Sequence, residues 1–270
     1  MRPARRARDR RRGYRLGAAG AGDVADGSWV VDHVRQRKSP RELEYVREAL
    51  AIADAAYEAL RDALQPGMSE HEIDALLSYE CRRRGSDEPG IRSMVRTGPK
   101  TAAFHAPPGD RRIQAGELLM IDMSATRHQY HGNTARAFSL GGDARWAEAL
   151  RKLEEGLWET VAQIRPGDPT MKLQRLMDDY ADRSGVRELV WWVGGYVLGI
   201  AVPPDWVGHV YLNDEEGFEP GRFDPGFVAN WEIQLWDPPH GGGVGLIDTM
   251  IATDARIDVP ATFPRTLNVV

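Results

Sequence analysis

Asp122 closes the apolar run Leu118-Leu119-Met120-Ile121. A carboxylate there costs several kcal/mol unless it is solvated, paired or hydrogen-bonded in a cleft. It is the first catalytic candidate; the alternative is a structural aspartate that closes a strand end. His105 is the second. It lies in Phe104-His105-Ala106-Pro107-Pro108, a loop stiffened by two prolines, and imidazole is the side chain best matched to proton transfer near neutral pH. Its alternative is an ordinary surface histidine. Tyr130-His131-Gly132-Asn133-Thr134-Ala135-Arg136 gathers a phenol, an imidazole, an amide and a guanidinium at a strand entrance, so Tyr130, His131, Asn133 and Arg136 are candidates for holding a small polar substrate. Arg136 could clamp a carboxylate through its planar fork or, equally, form a structural ion pair. Glu232 and Gln234 project from one side of an expected strand, with Trp231 and Trp236 beside them. One carboxylate with aromatic walls suits a cationic or cyclic nitrogenous ligand, and a half-exposed polar strand face is the other reading.

Other chemistries find less support. Gly194-Gly195-Tyr196-Val197-Leu198-Gly199-Ile200 lacks the spacing of a dinucleotide fingerprint, and its glycines are expected to let backbone approach a ligand while Tyr196 points into the cleft. Pro203-Pro204-Asp205-Trp206 reads as a rigid turn, and His209 and His240 as loop histidines. There is no Cys pair and no His-Glu-x-x-His, so spacing supports no tight metal site and no cofactor. There is no Gly-x-Ser-x-Gly elbow either, and Cys81, within an expected helix, reads as packing.

The elements that must position these residues follow from patterning. The 270 residues, 42% hydrophobic and 28% charged, suffice for one large domain or two packed halves. A single cysteine and the absence of any apolar run near membrane-spanning length favour a reducing cytoplasm. The first fifteen residues carry eight arginines against one aspartate, a net +7, which leaves −12 for the rest of a chain whose formal charge is −5. Such a body repels phosphate backbones, so neither nucleic acid nor membrane is an expected partner. Residues 1–28, rich in Arg and Gly, are expected to be a disordered tail and 29–270 the folded domain, with halves near 39–145 and 146–260.

Ser39-Pro40-Arg41-Glu42 combines an N-cap, a first-turn proline and a capping-box glutamate. Behind it Leu43, Val46, Leu50, Ala53, Tyr57, Leu60 and Leu64 make one apolar stripe that ends at Pro66-Gly67. Ser69 and Glu72 repeat the box. The segment Ala49 to Gly85 then recurs without a gap as Ala149 to Gly185, with Pro166-Gly167 matching Pro66-Gly67. Strands are expected at Leu118–Ile121, Ala135–Leu140, Val190–Val202, Glu232–Trp236 and Val244–Ala252. Two helices followed by antiparallel strands, twice over, predict an α+β fold of two pseudo-symmetric halves with the site where two sheets meet.

With those residues in place, the chain resembles the creatinase/aminopeptidase/prolidase superfamily from about Val30 to Thr253. The resemblance rests on Lys38-Ser39-Pro40, Pro66-Gly67, Phe104-His105, Asp110-Arg111-Arg112 through Gly116, Asp122, Arg136, and Gly242-Gly243-Val244 before Asp248-Thr249. It implies the pita-bread fold. Most peptidases of this superfamily hold two metal ions with two Asp, one His and two Glu. Here Asp122 stands at the first Asp, Asn133 at the second, Tyr196 at the His, Glu232 at one Glu and Ile247 at the other. The resemblance is nearer to the metal-poor branch of ectoine hydrolase and creatinase, through Tyr130-His131 followed by Arg136 and through Gly195-Tyr196 with Gly199-Ile200 and Pro203-Pro204-Asp205-Trp206.

That branch implies hydrolysis of a carbon–nitrogen bond in a small nitrogenous compound without a metal. His105 would be the base or proton shuttle and Asp122 the nucleophile or water-orienting carboxylate. Tyr130, His131, Asn133, Arg136, Tyr196, Glu232 and Gln234 would hold the substrate. A non-catalytic binding relative and an Xaa-Pro metallopeptidase with a degenerate metal site are the alternatives, and a homodimer is one assembly left open. Members of this branch resemble each other in a large N-terminal domain, where this sequence has the Arg-rich tail; a truncated frame, a single-domain variant and a binding protein all fit that difference.

Overall fold

The computed structural model describes residues 28–202, 212, 221–237 and 241–270. The expected turn at Pro203–Trp206, His209 and His240 lie outside these, as do residues 1–27.

A short helix α1 (Ser28–Gln36), not anticipated from patterning, precedes the paired helices α2 (Pro40–Ala63) and α3 (Glu70–Arg83). Both expected capping boxes form: Ser39 with Glu42, and Ser69 with Glu72. Val46, Leu50, Ala53, Tyr57 and Leu60 on α2 are buried. After β1 (Met94–Thr97), β2 (Leu118–Met123), the small hairpin β3 (Thr126–Arg127) and β4 (Tyr130–His131), and β5 (Thr134–Ser139), the second half begins with α4 (Ala144–Val161) and α5 (Thr170–Ser184). It continues through β6 (Val190–Gly194), β7 (Val228–Trp236), β8 (Gly243–Ala252), β9 (Ile257–Asp258) and β10 (Asn268–Val269).

The internal repeat is structural down to its turns. Gly67 and Gly167 both take positive φ, of 91° and 84°, at the same place after the first helix of each pair. Gly67 N–H donates to the Ile113 carbonyl and Gly167 N–H to that of Phe223; Glu70 N–H donates to Arg111 and Thr170 N–H to Gly221. Each helix pair is therefore tied in the same way to the segment that leads into β2 in the first half and into β7 in the second.

One expectation is corrected. Instead of two sheets meeting at a cleft, the main strands form one continuous sheet in the order β1-β2-β5-β8-β7-β6, with β10 beside β5 and β9 beside β8. The halves join where β5 pairs with β8, at Ala135 and Ile247. In the first half Tyr57, Leu60, Ile73 and Leu77 pack with Val95, Leu119, Ile121, Met123 and Phe138; in the second Leu150, Leu153, Leu157, Leu173 and Met177 pack with Trp231, Ile233 and Leu235. Alternation along each strand then sends the intervening residues to the other face. That face carries the site.

Candidate active site

Cross-strand pairing sets one row of residues across the sheet. Met94 stands opposite Asp122, Asp122 opposite Ala135, Ala135 opposite Ile247, Ile247 opposite Glu232, and Glu232 opposite Gly194. Directly opposed residues share a face, so Asp122 and Glu232 project from the same side. Three strand steps separate them, about 14 Å in a flat sheet. The sheet is curled, and the two carboxyls feel one another's charge.

Asp122 is buried and accepts a hydrogen bond from Asn133 Nδ2 at 2.8 Å. Asn133 is fixed in turn: its backbone N–H donates to Thr249 Oγ1 at 2.9 Å, and its Oδ1 accepts from the Tyr196 hydroxyl at 3.3 Å. Tyr196 is held by its own backbone N–H, which donates to Asn230 Oδ1 at 2.6 Å. Gly195 makes that approach feasible, because a Cβ there would lie 2.0 Å from the Asn230 carbonyl oxygen. The expected use of this glycine, backbone approach to a ligand, is thus corrected: the partner is strand β7. Glu232 receives amide N–H on both oxygens, from Asn230 Nδ2 and from Gln234 Nε2, each at 3.0 Å.

Burial raises the proton affinity of both acids. Asp122 is pushed above the ordinary carboxylate range by desolvation, against the hydrogen bond from Asn133 and the charges of Arg96 and His105. Glu232 is pushed up to about 8, first by desolvation and then by the nearby Asp122 charge. At neutral pH Glu232 therefore holds its proton and stands as a carboxylic acid beside Asp122.

His105 is exposed and sits at the mouth of this region. Its ring meets Trp191 edge-on at 6.0 Å, and Trp191 in turn packs on Phe104 at 4.7 Å. It lines a cleft of about 460 Å³ together with Met94, Ser93, Asp74 and Pro107. The cleft does not reach Asp122 directly; it abuts Met94, the strand partner of Asp122. The loop owes its position to more than its prolines. Buried Glu70 accepts from Thr97 N–H and Thr97 Oγ1 at one end of the loop and from Gly109 N–H at the other, each at 2.9 Å, and it pairs with Lys100 between them.

Four sequence-derived candidates have other partners in the structure. Arg136 takes the ion-pair alternative: it is fully buried and donates to Asp248 Oδ1 at 3.1 Å, to the carbonyls of Ile247 and Ala135 at 3.0 and 2.9 Å, and to Phe263 at 3.3 Å. Tyr130 directs its hydroxyl to Glu42 on α2 and packs beside Tyr45. His131 is buried under Gly199, with Nδ1 2.7 Å from that carbonyl; burial and the charges of Lys38 and Arg35, not the site acids, set its surroundings and hold its pKa down to about 4. Trp231 is no ligand wall, since it is buried toward α4 with its indole N–H on Thr160 Oγ1 at 3.0 Å. Cys81, read as packing, has its thiol pushed up to about 12 by burial and so is no nucleophile.

Arg96 was not legible as a site residue. It lies in β1, is fully buried and bears on Asp122 and Glu232 electrostatically; the available signal was an arginine inside Met94-Val95-Arg96-Thr97, four residues that are all buried.

These groups suit a divalent cation poorly. Three carboxylate oxygens of Asp122 and Glu232 face amide N–H donors, the row between them carries Ala135 and Ile247, and the guanidinium of Arg96 already brings positive charge. Among the described residues no three His, Cys, Asp or Glu side chains converge as ligands.

The family model described as metallopeptidase family M24 matches residues 44–254. An ectoine hydrolase from Halomonas elongata is 29% identical over 265 residues, covering 90% of this chain and 62% of that protein. An Xaa-Pro dipeptidase from Pyrococcus furiosus is 24% identical, covering 83% and 63%. The chain thus spans less than two thirds of the length of these relatives. Among solved structures, an Xaa-Pro dipeptidase from Bacillus anthracis superposes with a TM-score of 0.80 at 24% identity over 92% of this chain and 68% of that one. An X-Pro aminopeptidase from Thermotoga maritima gives 0.79 at 21% over 89% and 66%. At these identities the likeness concerns the fold.

Proposed function

The chain belongs to metallopeptidase family M24, with its pita-bread fold, and from that membership we propose that it hydrolyses a carbon–nitrogen bond in a small nitrogenous compound without a metal ion, in the manner of an ectoine hydrolase or creatinase. The observation that carries this reading is the pair of buried acids on one face of the sheet, with Asp122 held by Asn133 and Glu232 raised to about 8. In this reading Glu232, which keeps its proton at neutral pH, is the acid and Asp122 is the base. Asp122 orients water toward the electrophilic carbon. Water oxygen bonds to that carbon, its proton passes to Asp122 and out through His105 at the mouth, and the Glu232 proton goes to the nitrogen as the carbon–nitrogen bond breaks. Such acid–base steps are worth about 10²–10⁴-fold. Tyr196, Asn133 and Gln234 line the place where substrate would lie.

The likeness to an ectoine hydrolase across 90% of the chain supports a cyclic amidine such as ectoine as the first compound to assay. Protein stripped with a chelator is compared with protein supplied with manganese, cobalt or zinc, on ectoine, creatine and Xaa-Pro dipeptides. Turnover of a small nitrogenous compound that survives chelation and is lost in both His105→Ala and Asp122→Asn is expected. Turnover confined to Xaa-Pro dipeptides and dependent on added metal would overturn the reading.

A further inference from the structure

Arg96 carries a charged edge that none of the described residues satisfies. Its Nη1 donates to the Phe104 carbonyl at 2.6 Å, and the guanidinium carbon lies 5.5 Å from the Phe104 ring centre. Nε and Nη2 are buried and have no hydrogen-bond partner. Charged donors left buried and unmatched are strongly unfavourable. The neighbouring acids do not meet this need, since Asp122 is taken by Asn133, Glu232 by Asn230 and Gln234, and Glu70 by Thr97, Lys100 and Gly109.

Nε–H and the adjacent Nη2–H form the side of a guanidinium that presents two parallel donors at the spacing of two carboxylate oxygens. Arg96 is opposite Met120 while Asp122 is opposite Met94, so Arg96 and Asp122 are diagonal neighbours on one face, about 7–8 Å apart at the backbone. We propose that the free Nε–Nη2 edge of Arg96 is the seat for a carboxylate of the ligand, holding it beside Asp122.

A second unmatched atom adds to the description of that ligand. Gln234 Oε1 is buried without a partner among the described residues, and Gly245 opposite it leaves the space it occupies, since a Cβ there would lie 1.9 Å from that oxygen. A bare acceptor on this face calls for an N–H. The fitting class is a small carboxylate with an N–H within a few bonds of it, and the guanidinium's charge near Asp122 and Glu232 offsets the repulsion these acids would otherwise exert.

The inference rests on the proposed reading for where substrate lies, but its test measures binding and not turnover, so either can fail alone. N-acetylglycine and its uncharged counterpart N-acetylglycinamide are titrated into the intact protein, Arg96→Gln and Arg96→Lys, with folding of the variants checked by circular dichroism. The carboxylate is expected to bind the native protein about tenfold more tightly than the amide, and this preference is expected to vanish in Arg96→Gln and to shrink in Arg96→Lys, which keeps charge without the fork. Should the variants not fold, crystals of the native protein soaked in bromoacetate decide the matter, with the carboxylate expected on Nε and Nη2. Equal affinity for the two probes, no binding of either, a preference that survives in Arg96→Gln, or bromoacetate seated elsewhere would overturn the proposal.

Discussion

At the scale of single residues, the acid pair makes the sharpest claims. An unfolded glutamate releases its proton near 4.5, whereas folded Glu232 keeps it to about 8. The contribution of this group to stability is therefore complete below 4.5 and is lost as pH rises to 8. Glu232→Gln keeps an uncharged group of the same shape, so its melting temperature should match the native protein below about pH 4.5 and exceed it increasingly up to pH 8, while turnover is lost; thermal melts across pH check this. Native turnover should itself decline as pH passes about 8, where the acid is spent. Asn133→Asp is the complementary case. It replaces an N–H donor 2.8 Å from Asp122 by a second carboxylate, which drives Asp122 toward its protonated form. Steady-state kinetics should show a loss of roughly 10²-fold or more. Asp122 and Glu232 were legible because carboxylates in apolar runs stand out. Arg136 was left between two readings because sequence cannot tell a buried arginine that faces substrate from one that faces an aspartate 112 positions away.

At the scale of elements, position depends on residues with no chemical role. Glu70 opens α3, yet it fastens Thr97 and Gly109, the two ends of the loop that carries His105. Removing it takes the carboxylate from half-buried Lys100 and leaves two backbone donors unmatched, at about 1–3 kcal/mol for each stranded donor. Glu70→Ala should lower the melting temperature and reduce kcat about tenfold, mostly by misplacing His105, as denaturant titration and kinetics together would reveal. Gly195→Ala tests the other wall of the site. Its methyl would have to displace the Asn230 carbonyl now 2.0 Å from where it would sit, costing about 1–3 kcal/mol and moving Tyr196 off Asn133. The measurable result is a fall in kcat with a smaller change in melting temperature than Glu70→Ala causes. Helices were readable because caps and apolar stripes are local, as Ser39–Glu42 and Ser69–Glu72 illustrate. β1 was not, because a strand of four residues with an arginine in it has no pattern to offer.

At the scale of the molecule, the repeat predicted two halves but not how they are joined, since a seam is a property of register and register is not written in either copy alone. The seam is where β5 meets β8, at Ala135 and Ile247, and the row that carries Asp122 and Glu232 runs straight across it. Side chains reinforce the ladder there: Arg136 of the first half donates to the Ile247 carbonyl and to Asp248, Arg265 donates to Asp248 at 2.8 Å, and Thr249 Oγ1 exchanges hydrogen bonds with Asn133. Asp248 thus sits between two buried guanidinium groups, and its charge is what allows both to be there. Asp248→Asn keeps the shape and removes the charge, which leaves two buried cations without a counterion and should cost about 3–5 kcal/mol. Replacing Arg136 by Met in the same background should return part of that loss, because one of the stranded charges goes with it. Urea titration of the single and double variants supplies the cycle. A loss under about 1 kcal/mol in Asp248→Asn, within the range of an exposed pair, would mean that the backbone ladder alone holds the halves in register, and then the alignment of Asp122 with Glu232 would not depend on this ion cluster.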